Sequence, residues 1–293
     1  MEKPVTPHVG IVGLGLMGTA LAERLLEHGY GVVVWNRTRT KAAPLLGRGA
    51  KWAENPFSDC PRVILSLYTT EVVSEVLDQL KNGMRRGQII VDTTTGDPAQ
   101  STALGQKLAE RGVRYLDAPI SGSSEQTRRG EATIMVGGES EVFAECADLW
   151  RVLGKKVFHV GPCGSASKMK LISNLVLGLN RAALAEGLAF AEALGVSPEA
   201  ALEIMIGSAA YSRAMDMKGR KMVESDFTVQ ARLSQHLKDV RLILETATAA
   251  GMTLPLSETH RQLLERAEAS GLGELDNSAI IEIMRQQRPS PKP

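Results

Sequence analysis

The sequence predicts an α/β half with a mostly parallel, doubly wound sheet over residues 1–163, followed by an all-α half over residues 164–293. Three observations carry that prediction. Short apolar runs rich in Val and Ile alternate with stretches of helical periodicity as far as Leu116. A glycine-rich turn, Gly13-Leu14-Gly15-Leu16-Met17-Gly18, stands where the first run passes into the first helix. After Gly161-Pro162-Cys163-Gly164 no strand pattern returns, and a nearly unbroken apolar helix begins.

The elements follow in order. His8 to Gly13 reads as a strand buried on both faces. Ala20, Leu21, Leu25 and Leu26 give the next stretch its helical spacing, and Gly29 suits a left-handed C-cap. Gly31 to Trp35 is a second strand, Arg62 to Ser66 a third and Gln88 to Asp92 a fourth, with a helix over Val72–Leu80 between the last two. Asp97-Pro98 forms an N-cap and N1 pair that opens a helix running to about Arg111. Val113 to Leu116 is a further strand, and Thr133 to Val136 a hairpin partner or another strand. Beyond Gly164 the long helix would span about 45 Å over some thirty residues at 1.5 Å each. Helices are expected over Tyr211–Val223, Ala231–Ala250, Leu256–Ala269 and Asn277–Arg285, with one opening at Ser197-Pro198-Glu199. The long helix is apolar around most of its circumference, which predicts a homodimer or homotetramer whose partner covers the remaining face.

Composition narrows the function classes. A chain of 293 residues suits two domains, and a net charge of +1 forces no basic face for nucleic acid. Polar residues break every apolar stretch long enough to span a membrane. Nothing at the N-terminus reads as a signal peptide. Cys60, Cys146 and Cys163 are widely spaced, which predicts free thiols, no metal site and a cytoplasmic, reducing setting.

The candidate site residues fall into five stretches. In the glycine-rich turn, Gly13 allows the tight turn, Gly15 lets backbone approach a pyrophosphate, and Gly18 permits close helix–strand packing. The second strand ends in Asn36-Arg37-Thr38-Arg39, without the acid that would accept from both ribose hydroxyls. Arg37 can take a 2′-phosphate, so NADP(H) is favoured over NAD(H). Leu67-Tyr68-Thr69-Thr70 should leave the sheet beside the cofactor. Ser121-Gly122-Ser123 can present backbone amides and hydroxyls to an anion. Lys170 and Asn174 stand four residues apart, hence on one helical face, with Met169, Leu171, Ile172, Leu175 and Val176 as apolar neighbours. An ammonium held against apolar surroundings is a proton donor suited to carbonyl chemistry.

With Gly13-x-Gly15-x-x-Gly18, Asp117-x-Pro-x-Ser121-Gly122 and Lys170-x-x-x-Asn174 in this order, the chain resembles the β-hydroxyacid dehydrogenases. Lys238-Asp239 and Gly271-x-Gly273-x-x-Asp276-x-Ser278-Ala279 extend the match, which covers essentially the whole chain. Within the family it most resembles the glyoxylate/succinic semialdehyde reductases, which share Trp35-Asn36-Arg37-Thr38 and the Lys168-Met-Lys170 run. The resemblance implies a Rossmann domain, a helical domain for dimerisation, and Lys170 as the catalytic lysine. Lys168 lies roughly 200° around the helix and should point elsewhere. Cofactor contacts would fall on the glycine turn, Asn36, Arg37, Thr38, Leu67, Tyr68, Val72, Thr95 and Lys238. Substrate contacts would fall on Ser121, Gly122, Ser123, Asn174, Lys238 and Asp239. The implied reaction is NADPH-dependent reduction of a small carboxylate-bearing aldehyde. The alternatives are a 3-hydroxyisobutyrate or tartronate-semialdehyde type dehydrogenase and a non-catalytic NADP-binding scaffold. The chain departs from the family pattern at Ala166 and Ser123, where glycine is usual, and at Ala231, where several relatives carry an aromatic residue. These departures bear on substrate size.

Overall fold

The computed structural model describes residues 8–286, and the chain divides into two compact units, residues 1–170 and 171–293. The first unit is built on nine strands: β1 (His8–Val12), β2 (Gly31–Trp35), β3 (Lys51–Trp52), β4 (Arg62–Leu65), β5 (Ile89–Asp92), β6 (Arg114–Asp117), β7 (Ile120–Ser121), β8 (Thr133–Gly137) and β9 (Lys156–Gly161). They lie in the order β3-β2-β1-β4-β5-β6-β8-β7, with β9 also paired to β8. From β3 to β6 every pairing is parallel, whereas β8 runs antiparallel to both β6 and β7.

The period of two along each strand divides the apolar side chains between two cores. On β4, Ile64 joins Ile11, Val91 and Leu116 against the first helix (Leu16–Glu27) and Leu149. Val63 and Leu65 join Val12, Val33 and Ile90 against helices Thr70–Leu80 and Pro98–Glu110. A sheet covered on both faces needs continuous apolar strands rather than alternating ones, which is why these runs were so legible. The order reverses between β1 and β4, the switch point beyond whose carboxyl strand ends doubly wound sheets bind their ligands.

Several short elements escape the sequence pattern. β3 and β7 have two residues each, too few to show a period, and β9 is an edge strand that is mostly exposed. Helices Ser124–Arg128, Ser140–Glu145 and Ala147–Leu153 also lie between the expected elements.

The second unit is helical, and among its described residues the only β pairing is an isolated bridge between Arg232 and Asp276. Helix Ser165–Ala193 starts in the first unit and continues into the second for a total of 29 residues. Leu184, Leu188, Met222, Leu237, Val240, Leu264, Ile280 and Ile283 form the second unit's core. The expected helix over Tyr211–Val223 contains a π-helical turn, Met215–Gly219, before Arg220–Val223. That wide turn carries Lys218, whose ammonium donates to both carboxylate oxygens of Asp276 at 2.8 and 2.9 Å. Among the described residues no helix is long and apolar enough to cross a membrane.

Candidate active site

The carboxyl edge of the sheet is shaped by glycines that no other residue could replace. Gly13, at φ +99°, donates to Trp35 O, and a Cβ there would overlap Ser66 O and approach Leu67. A Cβ on Gly18 would overlap the Gly13 carbonyl oxygen, so the first helix packs directly on the turn. Gly15 differs: a Cβ there would meet nothing within 4 Å, which leaves the backbone open to a ligand. Gly15 is the N-cap of the first helix and supplies no side-chain cap, so Leu16 and Met17 stand at an uncapped, positive helix end. These features fit a dinucleotide pyrophosphate.

Asn36 links the turn to the second strand. Its Oδ1 accepts from Leu14 N–H at 2.9 Å, and its Nδ2 donates to Thr38 O at 3.0 Å. Arg39 differs from Arg37 in one contact: its guanidinium lies 5.2 Å from the Trp52 ring centroid, while its pairing with Glu54 at 3.6 Å is as weak as that of Arg37. Arg37 is two-thirds exposed and pairs with Glu75 only at 3.6 Å, a contact that constrains it weakly. Next along the edge, Leu67 N–H donates to Thr94 Oγ1, Thr93 Oγ1 donates to Leu65 O, and Thr69 caps helix Thr70–Leu80. Tyr68 is exposed, Val72 is half-buried four residues on, and Thr95 is half-buried past the end of the neighbouring strand β5.

The Ser121-Gly122-Ser123 loop is already partly occupied. Ser123 forms a capping box: its N–H donates to Gln126 Oε1 at 2.9 Å, and its Oγ accepts from Gln126 N–H at 3.2 Å. Ser123 therefore starts helix Ser124–Arg128, with its amide donating and its hydroxyl oxygen accepting. Ser121, Gly122 and the Ser123 O–H are the donors left for an anion. Helix Ser124–Arg128 is fastened to the first helix by Arg128, which pairs with Glu23 at 2.6 Å, and by Thr127 against Met17.

Lys170 is 7% exposed while Lys168 is exposed, as their helical offset requires. The expected apolar surroundings are another matter. Met169, Ile172 and Val176 are 41%, 56% and 52% exposed, because residues at those offsets occupy a different face. Of the five apolar neighbours, Leu171 is buried and Leu175 half-buried, so only part of the expected surroundings turns inward with the lysine. Within the second unit, Asn174 Nδ2 donates to Asp239 Oδ2 at 3.0 Å, and Asp239 Oδ1 pairs with Lys238 Nζ at 3.0 Å. Asn174 and Asp239 are both buried.

Two buried carboxyls next to the site received no role from the sequence. Asp92 accepts from Thr94 N–H and from the Tyr115 hydroxyl, and burial raises its pKa to about 6. Asp117, its register partner on β6, is raised by burial and partly relieved by hydrogen bonds from Gly164 and Ser167. Both stand at strand ends next to helix starts, and that position was the available signal. A groove of about 390 Å³ is lined by Arg62, Arg114, Glu145 and Asp148 at the opposite edge of the sheet. There Arg62 pairs with Asp148 and Arg114 with Glu145, so its charges are spent on each other. Among the described residues no His, Cys, Asp and Glu group could hold a metal ion.

A glycine cradle at the switch point of a doubly wound sheet, followed by a helical unit, defines a dinucleotide-binding oxidoreductase architecture. Residues 8–161 match the NAD binding domain of 6-phosphogluconate dehydrogenase. Residues 164–284 match the NAD-binding domain of NADP-dependent 3-hydroxyisobutyrate dehydrogenase. Glyoxylate/succinic semialdehyde reductase 1 of Arabidopsis thaliana is 32% identical over 286 residues, covering 96% of this chain and 99% of that protein. The 2-(hydroxymethyl)glutarate dehydrogenase of Eubacterium barkeri is 33% identical over 295 residues, covering 98% and 97%. The crystal structure of 3-hydroxyisobutyrate dehydrogenase from Salmonella typhimurium superposes with a TM-score of 0.87 at 27% identity, covering 94% of this chain and 99% of that one. The chain belongs to the β-hydroxyacid dehydrogenase family and is an NAD(P)-dependent oxidoreductase of the hydroxyacid dehydrogenase type.

Proposed function

We propose that this chain is an NADPH-dependent reductase of small aldehydes that carry a carboxylate, such as glyoxylate or succinic semialdehyde. The observation that carries the reading is the buried Lys170 ammonium on the same helical face as Asn174, in a chain that also retains the glycine cradle. When bound, NADPH supplies the hydride to the aldehyde carbon. Lys170 then donates a proton to the aldehyde oxygen as negative charge builds on it; such a donor is typically worth about 10²- to 10⁴-fold in rate. The Ser121 hydroxyl and the Gly122 amide are assigned to the substrate carboxylate, joined by the Ser123 O–H, because the Ser123 N–H is taken by Gln126 Oε1 while its Oγ only accepts. The family resemblance supports Asn174, Lys238 and Asp239 as further substrate residues, with Lys238 also assigned to the cofactor.

Preference for NADPH rests on the absence of an acid at Asn36-Arg37-Thr38 and on a weakly held Arg37 guanidinium. Self-association as a homodimer or homotetramer is proposed for the long helix's outer face. Ile172, Val176, Phe190 and Leu194 are 52% to 63% exposed there and recur at helical spacing. The cytoplasm is proposed as the compartment, on the three cysteines that form no disulfide.

The test is NADPH oxidation by the wild type and by Lys170→Ala against glyoxylate, succinic semialdehyde, tartronate semialdehyde and a branched 3-oxo acid. The expected outcome is turnover by the wild type, slower with NADH, and collapse in the variant with NADPH affinity preserved. Wild-type turnover in the variant would remove Lys170 from its role. No oxidation with any aldehyde would favour the scaffold reading.

A further inference from the structure

Asp117 closes β6 and is 2% exposed. Its carboxylate faces the start of helix Ser165–Ala193 and accepts three hydrogen bonds from it. Oδ1 accepts from Gly164 N–H at 2.9 Å, and Oδ2 accepts from Ser167 N–H at 2.9 Å and from Ser167 Oγ at 3.2 Å. Ser167 Oγ also lies 3.3 Å from Ser101 Oγ, which draws helix Pro98–Glu110 into the same joint. Space for the carboxylate is left by Gly137, the antiparallel partner of Asp117 on β8, where any Cβ would overlap Asp117 Oδ1. Gly164, at φ +89°, lets the chain turn into the helix with Thr102 and the Pro98 carbonyl pressed against it.

Two functional segments meet at this one side chain. Four residues after Asp117 the chain reaches Ser121 and Gly122, and three residues after Ser167 the helix reaches Lys170. A helix start offers N–H groups without intrahelical partners and a positive dipole end, and a buried carboxylate satisfies both. Gripping Gly164 with one oxygen and Ser167 with the other fixes the rotation of the first turn as well as its position. Lys170 lies within the next turn, so its direction is set by that grip. We propose that Asp117 is a positioning residue: its carboxylate fixes the register between the Ser121–Gly122 loop and Lys170. The inference rests on Lys170 being the proton donor. A misplacement of about 1 Å at a reacting group can cost about 10²-fold in rate.

The test compares Asp117→Asn, Ser167→Ala and Lys170→Ala in steady-state reduction of succinic semialdehyde or glyoxylate by NADPH. NADPH affinity, thermal midpoint and the pH profile of kcat are measured alongside. Asp117→Asn turns one acceptor into a donor facing an N–H. It is expected to lower kcat on the order of 10²-fold, to shift the alkaline limb of the kcat profile, and to leave NADPH affinity within about twofold. Ser167→Ala keeps both backbone bonds and removes only the hydroxyl, so a several-fold fall in kcat with the same direction of pH shift is expected. If Asp117→Asn does not fold, Ser167→Ala alone decides. A wild-type kcat and profile in the folded variants, with Lys170→Ala inactive, would overturn the positioning role and leave the lysine assignment intact. Normal turnover by Lys170→Ala would overturn the lysine assignment itself and the inference with it.

Discussion

In the first unit the groups proposed to hold a cofactor are largely main chain: the amides of an uncapped helix start, beside a carbonyl-packed Gly18 and an open Gly15. The second unit instead gathers buried polar side chains. Arg181, His236, His260, Asp239, Asp276 and Lys218 are all buried there, drawn from three helices, a π-helical turn and an N-cap. Burial lowers the Arg181 pKa to about 10 and that of His260 to about 4, while Asp276 and Asp239 offset the cost for Arg181. Gly178 is part of this arrangement, because a Cβ there would press on His236 at 2.6 Å and on His260 at 2.9 Å. The contrast teaches where each unit is vulnerable. A backbone-built edge fails when a side chain is added, and a polar core fails when a partner is taken away.

The largest expected effect is in the polar core. Asp276 also accepts from Gln230, Ala231 and Ser278, so it ties the π-helical turn, the start of helix Leu233–Ala249 and its own turn together. Asp276→Asn leaves the Lys218 ammonium buried without its charge partner, a loss of about 3–5 kcal/mol. Denaturant titration of the variant checks this, and stability within 1 kcal/mol of wild type, on the order of a surface substitution, would show that the joint is not electrostatic. At the cradle, Gly18→Ala forces the first helix off the turn and is expected to weaken NADPH binding on the order of 100-fold. Fluorescence titration with NADPH reads it, and undiminished affinity would mean that the helix is not packed on Gly13 as described.

The smallest effect is a pH dependence. His260 titrates near 4 when folded against an ordinary 6.5. Above pH 6.5 it is neutral in both states. As pH falls, the unfolded chain takes up the proton first, so stability declines between 6.5 and 4 and then levels off. The loss reaches about 2 kcal/mol at pH 5. His260→Gln should flatten that part of the profile, and an unchanged slope between pH 7 and pH 5 would assign the titration to another group.

Legibility in the sequence follows the same division. Gly13, Gly15, Gly18 and the acid-free Asn36-Arg37-Thr38 could be read directly, because a turn and a strand end are local and their residue types have few other uses. Asn174 and Lys170 could be placed on one face by spacing alone. The Asp276 motif was visible, but its role in holding Lys218 depends on a partner in a distant π-helical turn. Ser123 read as an anion donor, and only the Gln126 side chain folding back shows it to be a cap. Asp117 was visible only as the first letter of a loop motif, since its partners lie at the start of a helix far along the chain. Arg181, His236 and His260 carry no pattern in the sequence. Each lies on a helix with other polar residues, and nothing in the spacing separates those that turn inward from those that do not.

The most direct test of the central claim is the single-turnover rate of NADPH oxidation by Lys170→Ala with saturating succinic semialdehyde or glyoxylate. A fall of about 10² or more with unchanged NADPH affinity is the predicted result. A rate equal to that of the wild type would contradict it.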